Sequence, residues 1–145
     1  MKRLLLIIFL SVTYQLSAQV TPKSLVGEWT TSNSDSSYYK NDTIELHQDI
    51  TYNNQPNCCD YVTWRVNSKK SLFIENLFNC TEPGRVKRSA DKETFSIKNA
   101  NGQQVIEIKR GGKKVDRFQI LELKESRVNK YPYDIKVLKL KRLKF

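Results

Sequence analysis

The chain has 145 residues, with 25 Lys or Arg against 15 Asp or Glu, a formal net charge of +10, one histidine and three cysteines. Such a length fits one domain able to bury its own core and excludes a multidomain assembly. The surplus of positive charge favours acidic partners, and the histidine count leaves His47 as the only imidazole available to a nucleophilic triad.

The chain opens MKRLLLIIFLSVTYQLSAQ, with Lys2 and Arg3 ahead of the apolar run Leu4 to Leu10 and small residues at Ser17 and Ala18. That order predicts a secretory signal over 1–18, cut between Ala18 and Gln19. An uncleaved anchor is disfavoured because the unbroken apolar run is too short to cross roughly 30 Å of hydrocarbon. The expected mature chain is therefore one exported domain, 19–145, periplasmic or secreted. It has no transmembrane segment, and no cysteine at its new N-terminus for lipid attachment.

Beyond the signal, apolar and polar residues alternate in short runs, which predicts strands. The runs are Leu25 to Thr31, Thr43 to Gln48, Tyr61 to Val66, Ser71 to Leu77, Thr94 to Lys98, Gln103 to Arg110, Val115 to Leu123 and Ile135 to Arg142. Turn residues separate them at 67–70, 99–102, Gly111-Gly112 and 131–134, while 32–41 and 81–92 read as longer loops. Glycine at both centres of a two-residue hairpin supplies the positive backbone angles that a primed turn needs. From Thr94 onward the strands read as a meander of antiparallel neighbours. An open meander would expose a long edge, so the expected fold is all-β, a single eight-stranded antiparallel up-and-down barrel.

The first strand carries Gly27-Glu28-Trp29, and the last is basic and ends at Arg142. With eight short strands and a signal ending LSAQ, the chain resembles the lipocalin-like (calycin-type) families of small exported bacterial proteins, of the Bacteroidetes type. The resemblance implies that Trp29, preceded by Gly27, plugs one barrel end and that Arg142 lies across its aromatic face, a contact worth about 0.5 to 2 kcal/mol.

Alternation along Tyr61 to Val66 puts Val62, Trp64 and Val66 on one face, and Leu72 and Ile74 supply the matching set in the next strand. Setting Val66 opposite Leu72 and Trp64 opposite Ile74 brings Cys58 opposite Cys80. A bridge there closes a hairpin and adds about 3 kcal/mol. A bulge would make Cys59 the partner instead. A thiolate site for copper or zinc, joined by His47, is the competing reading; adjacent cysteines usually face opposite ways, which weakens it, and no metal or other cofactor is expected.

Catalytic signatures are missing: the chain has no Gly-x-Ser-x-Gly, no His-Glu-x-x-His and no phosphate-binding loop. Glu45 and His47 share a strand face and would form a hydrolytic pair only if a Ser or Cys approached them. Among the aromatic residues, Tyr61 and Trp64 are candidates to line a barrel pocket, whose inner face either fills itself or leaves a ligand cavity. Tyr131 and Tyr133, stiffened by Pro132, are candidates for stacking on a sugar or protein. The leading expectation is thus a non-catalytic binding protein for a small apolar or amphipathic ligand in or at the mouth of the barrel. The rivals are a basic surface module for an acidic glycan, envelope component or protein, and a thiol-based metal or redox protein. Export disfavours nucleic acid.

Overall fold

The computed structural model describes residues 19–48, 60–67, 71–78, 85–88, 93–127 and 134–144. They form β1 (Gly27–Ser32), β2 (Thr43–Gln48), β3 (Asp60–Val66), β4 (Ser71–Phe78), β5 (Arg85–Arg88), β6 (Glu93–Ala100), β7 (Gln103–Arg110), β8 (Lys113–Arg127) and β9 (Asp134–Arg142). A 3-10 turn (Pro22–Leu25) precedes β1, and the short helix α1 (Ser37–Lys40) lies between β1 and β2.

Every pairing is antiparallel. Eight strands close on themselves in the order β1-β2-β9-β8-β7-β6-β4-β3, with β3 returning to β1. The fold is the expected closed, all-β, up-and-down barrel of eight strands, and β6 to β9 form the expected meander. One exchange of order sets it apart from a plain meander: β1 lies between β2 and β3, so those two strands run the same way. β5 is a ninth strand, attached outside the ring along the far half of β4. It falls in the stretch read as a loop, because Arg85-Val86-Lys87-Arg88 has no alternation strong enough to announce a strand. Leu25, assigned above to the first strand, sits instead in the 3-10 turn. There Thr21 and Ser24 bond reciprocally through side chain and backbone in a capping box.

Alternation decides which residues point inward. Val62, Trp64 and Val66 face the interior, and the hairpin register is the one read from the pattern, with Val66 opposite Leu72 and Trp64 opposite Ile74. Trp29 pairs across β1 and β3 with Trp64, which meets Phe118 edge-on with ring centroids 5.4 Å apart. Leu46, Ile106, Ile108, Leu138 and Leu140 complete a core from which solvent is excluded. The segment ahead of β1 closes the end at which β1 begins. Val20 exchanges two 2.8 Å hydrogen bonds with the Gln104 side chain, Leu25 is buried, and the Trp29 indole N–H donates to the Leu25 carbonyl at 2.8 Å.

Gly27 has φ of +133°. A Cβ there would run into the side-chain amide of Gln48, which donates to the Val26 carbonyl at 2.9 Å. Gly27→Ala is expected to destabilise the protein by about 1 to 3 kcal/mol through backbone strain. Leu121→Ala, on an exposed bulge of β8, is expected to stay within about 0.5 kcal/mol of wild type. Urea unfolding followed by tryptophan fluorescence measures both.

Candidate functional site

Among the described residues, β1 and β2 touch through two residue pairs, Trp29 with Gln48 and Thr30 with His47. Beyond them β1 continues along β3 and β2 continues along β9, so the wall parts, and α1 sits over the opening. The resulting cleft holds about 210 Å³. Its deep side is Tyr38, Ile44 and Thr31, and its outer side is Ser37, Asn41, Thr43, Glu45 and His47. The chain builds α1 with two residues in left-handed backbone, Asp35 and Ser36 at φ of 55° and 61°. Asn33 fixes the approach by accepting from the Tyr38 amide at 3.2 Å.

Tyr38 joins the cleft to the core. Its hydroxyl accepts the Trp64 indole N–H at 3.0 Å, and its backbone carbonyl accepts from the Arg142 guanidinium at 3.0 Å. Burial pushes the phenol well above its ordinary range, so it remains a neutral hydrogen-bonding group. Arg142 also pairs with Asp116 at 2.5 Å and lies over the rings of Phe118 and Tyr38, 4.7 and 5.3 Å from their centroids. Burial raises the Asp116 carboxyl, and Arg142 opposes that shift. The aromatic faces that Arg142 covers are thus those of Phe118 and Tyr38, not the expected Trp29. Trp29 lies two aromatic residues away, beyond Trp64, because Arg142 is at the end of β9 that leaves the barrel beside α1.

Glu45 and His47 share the outward register of β2 and both face the cleft, as their spacing requires. They do not assemble a catalytic relay. Glu45 is held by Lys139 at 3.0 Å, and the Ser37 hydroxyl donates to the Ser32 carbonyl at 3.3 Å. Among the described residues, His47 Nδ1 is buried with no hydrogen-bond partner. Burial lowers the His47 pKa while Glu45 opposes the shift, so the imidazole is neutral at physiological pH. The neutral imidazole joins Ser37, Thr43 and Asn41 as hydrogen-bonding groups in the cleft lining.

The other predicted site residues divide by location. Trp64 is 2 % exposed and its N–H is already taken, which makes it core. Tyr61 is equally buried, on the outward register of β3 opposite Ser32 and Leu77. Gly27 and Trp29 lie at the end closed by the N-terminal segment. Cys58, Cys59, Cys80, Tyr131 and Tyr133 fall outside the described residues, as does the 1–18 segment. Among the described residues, no three His, Cys, Asp or Glu side chains cluster to hold a metal ion, and no helix is long and apolar enough to cross a membrane. Tyr38 and Tyr39 belong to the aromatic residues that the sequence offers as pocket or rim candidates; it missed Asn41 and Ser37, because nothing in a Ser- and Asn-rich run signals that a helix there will cover a gap between strands.

A histidine whose folded pKa lies below its unfolded value of about 6.5 binds fewer protons when folded. Its contribution to stability is therefore complete above that value and is lost as pH falls through the window down to the folded pKa. Urea midpoints of the wild type are expected to drop across this window, and His47→Gln to remove that part of the slope. Comparison of the chain with protein-family models, curated proteins and solved structures gives no match.

Proposed function

We propose that this protein is an exported, non-catalytic binding protein that holds a small amphipathic ligand at the mouth of its barrel, in the cleft between β1 and β2. The observation that carries the reading is the cleft itself: a break in the wall lined by the polar groups of His47, Asn41, Ser37 and Thr43, with the apolar Ile44 and Tyr38 beneath. A ligand with a polar head and a short apolar part matches that lining, since a few placed polar groups orient what the apolar floor holds. The interior favours the mouth over the centre. An eight-stranded barrel leaves an interior just wide enough for side chains, and here Trp29, Trp64, Phe118 and Leu138 fill it. The idle Ser37 and the ion-paired Glu45 support binding over hydrolysis.

Titration with short-chain alkyl glycosides and N-acylated amino acids, followed by amide chemical shifts, tests the reading. Shifts centred on Thr31, Ser37, Asn41 and His47 are expected, with loss of binding in Ser37→Trp, whose indole fills the cleft. Shifts centred instead on Trp29 and Phe118, or binding that survives Ser37→Trp unchanged, would overturn it. Intact mass of the secreted protein, expected to lack residues 1–18, checks the export.

A further inference from the structure

The charges on β6 to β9 divide by face. On the inward register they nearly balance: Glu93 with Arg110, Asp116 with Arg142, Glu125 opposite Lys136 and Asp134 opposite Arg127, with Lys113 at the β7–β8 turn left over. The outward register is not balanced. β8 presents Lys114, Arg117 and Lys124, and β9 presents Lys139 and Lys141. β6 and β7 add Lys98 and Lys109, and the outward carboxylates of these four strands are Glu107 and Glu122. Lys124 is neutralised by Glu122 and Lys139 by Glu45. The remaining five cations stand over one carboxylate, Glu107.

That carboxylate is buried, and it organises the cations above it. Lys98 Nζ lies 2.6 Å from it, Lys114 Nζ 3.2 Å and Arg117 Nε 3.7 Å. The hydrogen bond from Lys98, with help from Lys114, holds the Glu107 carboxyl below the usual carboxylate range. One negative charge thus fixes three positive head groups and leaves the cluster with a surplus. Lys109 and Lys141 have no carboxylate within 4.0 Å among the described residues. Lys98, Val105, Gln119 and Lys141 form a single row across four strands. At about 4.8 Å per strand, the row places its two end cations about 14 Å apart, with the Glu107 cluster beside it.

We propose that this outward wall is a docking surface for an acidic polysaccharide, whose successive carboxylates or sulfates bridge the Glu107 cluster, Lys109 and Lys141. A linear polyanion matches a band of spaced cations, and Arg and Lys head groups bind such oxyanions through charge-assisted hydrogen bonds. A lipid surface fits less well. The wall is convex, and Leu121 is its one exposed large hydrophobic residue among the described residues, whereas interfacial binding combines charge with inserted apolar side chains. Single-stranded nucleic acid would use aromatic platforms, and the described outward positions of these strands carry none. The wall is on the opposite side of β9 from the cleft, so this proposal and the cleft's ligand stand or fall separately.

Heparin is a suitable probe because it presents sulfates and carboxylates at sugar spacing. Affinity by titration calorimetry is expected to fall steeply with added salt. Lys109→Gln combined with Lys141→Gln is expected to weaken binding about tenfold, as loss of two cations with no carboxylate partner among the described residues should. Neither lysine holds a carboxylate, so the double variant keeps the wild-type urea midpoint, and either single variant, with a smaller loss, tests the same surface. Lys23→Gln with Lys40→Gln, away from the wall, should change affinity less than twofold. Equal losses in the two double variants would overturn the proposal by showing attraction to net charge alone. Tighter binding to phosphatidylglycerol vesicles or to a DNA duplex than to heparin at equal salt would overturn it in favour of those partners.

Discussion

Closure of the sheet into a ring of eight strands is the constraint from which the remaining features follow. Closure removes the exposed edges that an open meander would present, and it fixes an interior about as wide as the side chains lining it. Two tryptophans facing each other across β1 and β3, with Phe118 against the second, then occupy space that a wider barrel would leave to a ligand. The same closure requires β1 to reach β3, and β1 does so by parting from β2 beyond Thr30 and His47. The filled interior and the open wall are thus two results of one topology.

Charge placement follows the same geometry. A charge on the inward register must be paired or lie at a rim, because desolvation in the core is costly. Glu93 with Arg110 and Asp116 with Arg142 satisfy that requirement near the ends of their strands. Outward positions carry no such restriction, and there the cations exceed the carboxylates. Glu107 lies under cover on the outer wall of β6 to β9; three long basic side chains shield it from water, their aliphatic stems covering the strand while their heads stay exposed. Among the described residues, the outward positions of β6 to β9 therefore carry a surplus of positive charge.

Most of the barrel could be read from the sequence because alternation is a local signal. The runs at Thr43 to Gln48 and Gln103 to Arg110 match their strands end to end, and the Trp64 with Ile74 register followed from matching two apolar sets. What alternation cannot convey is which strand lies beside which. The exchange of β1 and β2, the addition of β5 to β4 and the placing of Arg142 over Phe118 all depend on long-range pairing. The candidate site was correspondingly half legible. Glu45 and His47 follow from the parity of β2, whereas Tyr38, Ser37 and Asn41 reach the cleft through a loop whose path is set by left-handed backbone at Asp35 and Ser36. Trp64 illustrates the opposite error: the residue types that line a ligand cavity are the ones that fill it.

Tyr38 shows why an opening in the wall need not weaken the barrel. Its buried side chain floors the gap between β1 and β2, its hydroxyl satisfies the Trp64 N–H, and its carbonyl satisfies Arg142. Arg142 in turn covers Phe118, which packs on Trp64, so the contacts form a closed loop: Tyr38, Trp64, Phe118, Arg142 and back to Tyr38. Each member is held by two others. A ligand resting on Tyr38 would therefore meet a rigid floor, with little ordering entropy lost there on binding. The adjustable groups are Asn41, Thr43 and the neutral imidazole of His47, all at the outer edge of the cleft. Selectivity in such a site would reside in the rim, and stability in the floor.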